Sequence, residues 1–125
     1  MMIKKVLLID DDDDLRQITA LSMRKTVGWE VVMANSGARG VELALEHQPD
    51  LTLLDVMMPD MDGPATLAKI KNCDSLADQP VIFITARIQA AEIAELMELG
   101  AVGVIGKPFD PLTLAEEVLR LVEAK

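Results

Sequence analysis

Cysteine, histidine and long apolar runs are all scarce in this chain, and each shortage removes a class of function. The single cysteine, Cys73, excludes an internal disulfide framework and suits a reducing cytoplasm, where the protein is expected to reside. As a residue of a predicted helix it reads as a small core hydrophobe. The single histidine, His47, precedes Gln48-Pro49 near a helix end and has no catalytic partner, so it reads as a surface or helix-terminus residue. Half of the residues are hydrophobic, yet no run approaches the roughly 20 that a membrane span requires. The start, Met1-Met2-Ile3-Lys4-Lys5, leads into only four apolar residues, so neither a spanning helix nor a secretory signal is expected.

Basic residues are in short supply as well, with 12 Lys and Arg against 21 Asp and Glu, a formal net charge of -9 and a pI near 4.4. Gripping a phosphate backbone relies on Lys and Arg, so direct nucleic-acid binding is not expected. Proteins and cations are the partners such a surface favours. At 125 residues, without an internal repeat, linker or low-complexity tail, the chain reads as one domain over 1–125 with no output domain after it.

What the chain does have is alternation. Apolar runs at Val6 to Ile9, Glu30 to Met33, Leu51 to Leu54, Val81 to Ile84 and Val102 to Ile105 predict five strands. Between and after them, helices are predicted from about Asp14 to Val27, Ala38 to Glu46, Gly63 to Cys73, Ala90 to Leu99 and Pro111 to Val122. Inward stripes are expected from Val41, Ala44 and Leu45 in the second helix and from Leu114, Val118, Leu121 and Val122 in the last. Turn signals fall at Val27-Gly28, Ser36-Gly37, Gln48-Pro49, Asp62-Gly63, Gln79-Pro80 and Gly100. The near-continuous hydrophobicity of the first, third and fourth strands is what a parallel sheet covered on both faces demands. Right-handed crossovers then give a doubly wound α/β sheet.

Ligands of such sheets bind beyond the carboxyl ends of the strands. Five consecutive aspartates, Asp10 to Asp14, begin where the first strand ends; Asp55 ends the third, Thr85 the fourth, and Lys107 follows the fifth. Holding several carboxylates together is costly unless a cation compensates, and a hard divalent cation is the simplest answer. The set suits phosphoryl chemistry, with Asp55 as nucleophile, Lys107 as a point charge and Thr85 as a hydrogen-bond donor. Asp12, Asp13 and Asp14 read mainly as cap and first-turn residues, and Asp60 and Asp62 as turn residues. Trp29 reads as a packing residue.

Four separated motifs carry a resemblance across essentially the whole chain: Val6-Leu7-Leu8-Ile9-Asp10-Asp11, Leu54-Asp55-Val56-Met57-Met58-Pro59-Asp60-Met61-Asp62-Gly63, Ile84-Thr85-Ala86 and Lys107-Pro108-Phe109. Together they resemble the receiver domain of two-component response regulators, the CheY-like family with a flavodoxin-like three-layer fold and strand order 2-1-3-4-5. The resemblance implies phosphoryl acceptance at Asp55 from a histidine kinase or histidine phosphotransfer protein. It also implies Mg²⁺, with Mn²⁺ as a substitute, held by Asp10, Asp11, Asp55 and the backbone carbonyl of Met57. It further implies a cis peptide before Pro108, and a downstream protein bound through the fourth helix, fifth strand and fifth helix. Catalysis is expected to be limited to the domain's own phosphorylation and dephosphorylation, so it is not an enzyme in the usual sense. Arg87 and Met57 take the places that in the family border the path of attacking water. Val104, three residues before Lys107, departs from the family, which has an aromatic there that rotates on activation.

Two other classes compete. Asp10 and Asp12 have the spacing of the first motif of haloacid-dehalogenase-like phosphatases, although Asp14 stands where that pattern expects threonine or valine. A receiver-like interaction scaffold that is never phosphorylated is the other. A calcium-binding loop starting at Asp10 is excluded, because Leu15 and Leu21 fall at its glycine and bidentate-acid positions.

Overall fold

The computed structural model describes residues 2–124. Met1 and Lys125, the ends of the expected single-domain span, lie outside the described residues. Five parallel strands, β1 (Lys5–Ile9), β2 (Glu30–Ala34), β3 (Leu51–Asp55), β4 (Val81–Thr85) and β5 (Gly103–Gly106), form one sheet in the order β2-β1-β3-β4-β5. The helices are α1 (Asp13–Val27), α2 (Gly37–His47), α3 (Gly63–Lys71), α4 (Ala90–Glu98) and α5 (Leu114–Glu123). This is the doubly wound architecture that the alternation predicts. Among the described residues no helix is long and apolar enough to cross a membrane.

The side-chain period of a strand explains the unbroken apolar runs. In β1, Val6 and Leu8 face a core shared with Ala20 and Met23 of α1 and Leu114 and Val118 of α5. Leu7 and Ile9 face the opposite core, with Leu43 of α2, Leu67 and Ile70 of α3 and Leu96 of α4. Both faces of the strand are therefore dry. Trp29, just before β2, packs into the first of these cores.

Local chemistry sets the helix ends. The carboxylates of Asp12 and Asp62 accept from the backbone N–H groups of Leu15 and Ala65 at 3.0 and 2.9 Å, capping α1 and α3. The Ser36 hydroxyl does the same for α2 by accepting from Arg39 N at 3.2 Å. Gly28, at φ 71°, closes α1 in the left-handed conformation, and Gln48 takes that role after α2 at φ 48°.

Three expectations are corrected. Leu45 is 46% exposed rather than inward-facing. The buried stripe of α2 runs through Gly37, Gly40, Leu43 and Ala44, because Gly40 lies against the Ile9 side chain and draws that face toward the sheet. The last helix begins at Leu114, not Pro111. The Asp110 carboxylate accepts from Leu112 N at 2.9 Å, and the resulting turn delays the first helical residue. Likewise α3 ends at Lys71, so Cys73 is not helical; it precedes a short 3₁₀ turn, Asp74–Leu76, and its thiol donates to the Lys69 carbonyl at 3.3 Å. It is half-buried against the second core, as a small hydrophobe would be.

Gly63 brings α3 close to the end of β3. A Cβ there would lie 2.7 Å from the Asp55 carbonyl oxygen and 2.8 Å from Val56 Cα, both backbone atoms that cannot rotate aside. Gly63→Ala is expected to lower stability by about 1–3 kcal/mol in urea denaturation. A loss below about 0.5 kcal/mol, the range of ordinary surface changes, would show that α3 has slack to withdraw.

Candidate active site at the carboxyl edge of the sheet

Strands β1, β3, β4 and β5 are neighbours, and each delivers a polar residue to the same edge. Asp10 directly follows β1, and its N–H still bonds to the Ala34 carbonyl at 3.1 Å, extending the β1–β2 pairing by one step. Asp55 is the last residue of β3 and Thr85 the last of β4. Lys107 follows β5, with its N–H on the Thr85 carbonyl at 2.8 Å. Backbone ladders thus fix where all four side chains begin. The Lys107–Pro108 peptide is cis, as the resemblance implies.

Asp10, Asp55 and Thr85 are buried, at 2%, 4% and 2% exposure, in positions where apolar residues would normally stand. The Lys107 ammonium lies 3.1 Å from Asp55 Oδ1 and 3.4 Å from Asp10 Oδ2, bridging the two carboxylates. Asp11 is exposed, yet one of its carboxylate oxygens lies within 4.8 Å of oxygens from both Asp10 and Asp55. Thr85 stands one strand away, and its hydroxyl oxygen accepts from Arg87 N at 3.0 Å. Met57 lies two residues beyond Asp55 with its side chain 57% exposed. Arg87 is exposed too.

Burial pushes the Asp55 carboxyl up from 3.8 to about 6, and the neighbouring charge of Asp10 adds to this, while Lys107 opposes both. For Lys107, burial pulls downward, but Asp10 and Asp55 together outweigh it and hold the ammonium above its ordinary 10.5. One cation does not offset this much negative charge. The three carboxylates are hard oxygen donors with charge left uncompensated, so the site fits a hard divalent ion such as Mg²⁺.

Asp12 and Asp13 are engaged elsewhere, and Asp14 is an exposed residue of the first turn of α1. Asp12 caps α1, its own N–H donates to Asp10 Oδ1 at 2.9 Å, and Asp13 pairs with Arg16 at 2.7 Å. A phosphatase site built on Asp10 and Asp12 is therefore not formed. Asp60, at φ 67°, is a turn residue as expected. Sequence reasoning did not single out Arg16, which is 9% exposed. Its signal is a cation at the head of the helical-period stripe Arg16, Thr19, Ala20 and Met23, the buried face of α1.

Residues 6–119 match the family described as the response regulator receiver domain. The chain belongs to that family. This receiver is 33% identical over 120 residues to the DNA-binding dual master transcriptional regulator RpaA of Synechocystis sp., an alignment covering 96% of this chain and 48% of that protein. It is 38% identical over 105 residues to the probable C4-dicarboxylate response regulator DctR of Priestia megaterium, covering 83% and 45%. The chain spans about half the length of the curated relatives it matches. Among solved structures, the chemotaxis response regulator CheY4 of Vibrio cholerae superimposes with a TM-score of 0.89 at 28% identity, covering 96% of this chain and 99% of that one. The Francisella response regulator 1452 receiver domain gives 0.85 at 26% identity, covering 97% and 98%.

The raised Asp55 value carries a pH dependence for the metal-free receiver. Between 3.8 and about 6 the folded state holds a proton on Asp55 that the unfolded chain has released, so this group's contribution to stability falls as pH rises through that window. Lys107 does not overlap: its contribution is full below 10.5 and is lost only as pH rises through a still higher folded value. In EDTA, Asp55→Asn is expected to unfold at higher urea than the parent at pH 7.5, by up to roughly 2–3 kcal/mol, and the gap is expected to close toward pH 4. A gap that widened on acidification would contradict the raised value.

Proposed function

We propose that this receiver accepts a phosphoryl group on Asp55 from a phosphohistidine of a sensor kinase or phosphotransfer protein, in a Mg²⁺-dependent reaction that Mn²⁺ also supports. The span 1–125 acts as one receiver unit, and it signals by binding proteins according to its phosphorylation state. The observation that carries this reading is the buried Asp55 carboxylate at a strand end, 3.1 Å from Lys107 and within 4.8 Å of the Asp10 and Asp11 oxygens. Family membership supplies the reaction class.

A carboxylate oxygen of Asp55 attacks phosphorus as the P–N bond breaks. An acyl phosphate forms, and the electron pair of the broken bond returns to the imidazole, which leaves neutral because its other nitrogen carries a proton. The reaction needs Asp55 ionised, and a value near 6 leaves it so at neutral pH. Asp10, Asp11, Asp55 and the Met57 carbonyl would hold Mg²⁺, which would supply charge neutralisation for the phosphoryl oxygens. Lys107 exchanges part of its bond to Asp55 for a phosphoryl oxygen, and the Thr85 hydroxyl donates to another. Arg87 and Met57 flank the side from which water hydrolyses the adduct. Each domain acts on itself, so turnover of a separate substrate is not part of this reading.

The face of α4, β5 and α5 is the proposed surface for a downstream protein. Met97, on its α4 side, is 41% exposed and lines one recess with Leu121 of α5, which supports an apolar contact there.

Incubation with acetyl phosphate and Mg²⁺ is expected to give a single phosphoryl adduct by intact mass, absent in EDTA and in Asp55→Asn. Lys107→Ala is expected to slow its formation on the order of 10²-fold. An adduct of unchanged yield in Asp55→Asn would overturn the assignment.

A further inference from the structure

We propose that Arg16 is a positioning residue for the acidic loop, clamping both of its ends so that Asp10 and Asp11 are presented in a fixed geometry. The inference rests on the metal-binding reading of Asp10, Asp11 and Asp55. Arg16 lies on the inner face of α1 with its side chain 10% exposed. One guanidinium nitrogen, Nη1, donates to the Asp10 backbone carbonyl at 2.8 Å, and Nη2 donates to Asp13 Oδ1 at 2.7 Å. A single planar group therefore joins the end of β1 to the first turn of α1. Only Asp11 and Asp12 lie between the two anchors. Asp12 is itself fixed, its N–H on Asp10 Oδ1 and its carboxylate on Leu15 N. Of the exposed carboxylates of this loop, Asp11 is the one grouped with Asp10 and Asp55, and the clamp limits where it points.

The fork of a guanidinium suits this task, because it offers parallel donors at a set spacing, whereas an ammonium is a point charge on a flexible stem. Partners that orient metal ligands without touching the metal commonly change affinity by 10- to 100-fold when removed. Charge alone argues the other way. Arg16 is a cation near a cation site, so deleting it would tighten Mg²⁺ binding if electrostatics were its only effect. Positioning and charge thus predict opposite signs.

The test is Mg²⁺ affinity by calorimetry on the unphosphorylated protein, together with hydrogen exchange of the Asp12 amide in EDTA. Arg16→Met is expected to weaken Mg²⁺ about tenfold and to speed exchange of that amide in the metal-free state. Arg16→Lys keeps the charge and loses the fork, so an intermediate loss is expected; it carries the test if Arg16→Met does not fold. Affinity equal to or tighter than the parent in the folded variant would overturn the proposal, as would full rescue by lysine. Asp11→Asn separates the two readings. If the parent binds Mg²⁺ and Asp11→Asn does not, a null result at Arg16 sinks only the clamp. If the parent and Asp11→Asn behave alike, the metal reading itself fails.

Discussion

Two buried carboxylates share one ammonium at the carboxyl edge of the sheet, and the imbalance of that trio shapes the rest of the structure. Two unit charges a few ångström apart interact by about 4 kcal/mol at the effective dielectric of a protein surface. Lys107 attracts Asp10 and Asp55 at 3.4 and 3.1 Å, while the two acids repel each other from within 4.8 Å. Attraction does not cancel repulsion and burial together, and the carboxyl of Asp55 stands near 6 as a result. Such a site relaxes unless its scaffold is stiff. The scaffold is the sheet below it, where Leu7, Ile9, Leu53, Leu54, Ile82 and Phe83 are all at most 1% exposed. Burying each contributes about 1.5–3 kcal/mol, so the core outweighs the charge conflict at its edge. The conflict then remains available to a cation or a phosphoryl group, either of which changes the balance.

The parts of this arrangement visible in the sequence are those that depend on backbone periodicity. Near-continuous apolar runs marked β1, β3 and β4 because a strand covered on both faces has few polar positions to spare. Once the sheet was parallel, the carboxyl-edge rule collected Asp10, Asp55, Thr85 and Lys107 from separate stretches of chain. The misses depend on side chains competing for backbone groups. Asp110 turned the chain where Pro111 looked like a helix start. Leu45 was rotated outward by the seating of Gly40 on Ile9. Arg16 was hidden for the same reason, because its value lies in a carbonyl and a carboxylate that only the folded loop brings within reach of one guanidinium.

Val104 stands on β5 outside the carboxylate–ammonium cluster, so it bears on the proposed readout of the site and not on the groups that form it. It sits opposite Phe83 in the β4–β5 register and packs, half-buried, against the core beneath α4. A valine there has no ring to move between buried and exposed positions. Two residues on, Gly106 has no side chain, and Ile88 from the β4–α4 loop occupies the space: a Cβ on Gly106 would lie 2.8 Å from Ile88 Cγ2. That loop is tied to the site by one bond, from Arg87 N to the Thr85 hydroxyl oxygen. Under the proposed phosphorylation, the Thr85 hydroxyl donates toward the phosphoryl group, and if its oxygen moves to do so Arg87 N follows or loses its acceptor. Ile88 is the next residue, so its contact over Gly106 is the first packing that the movement disturbs. Under the proposed function, the link between the site and the face of α4, β5 and α5 then runs through the aliphatic contact of Ile88 over Gly106.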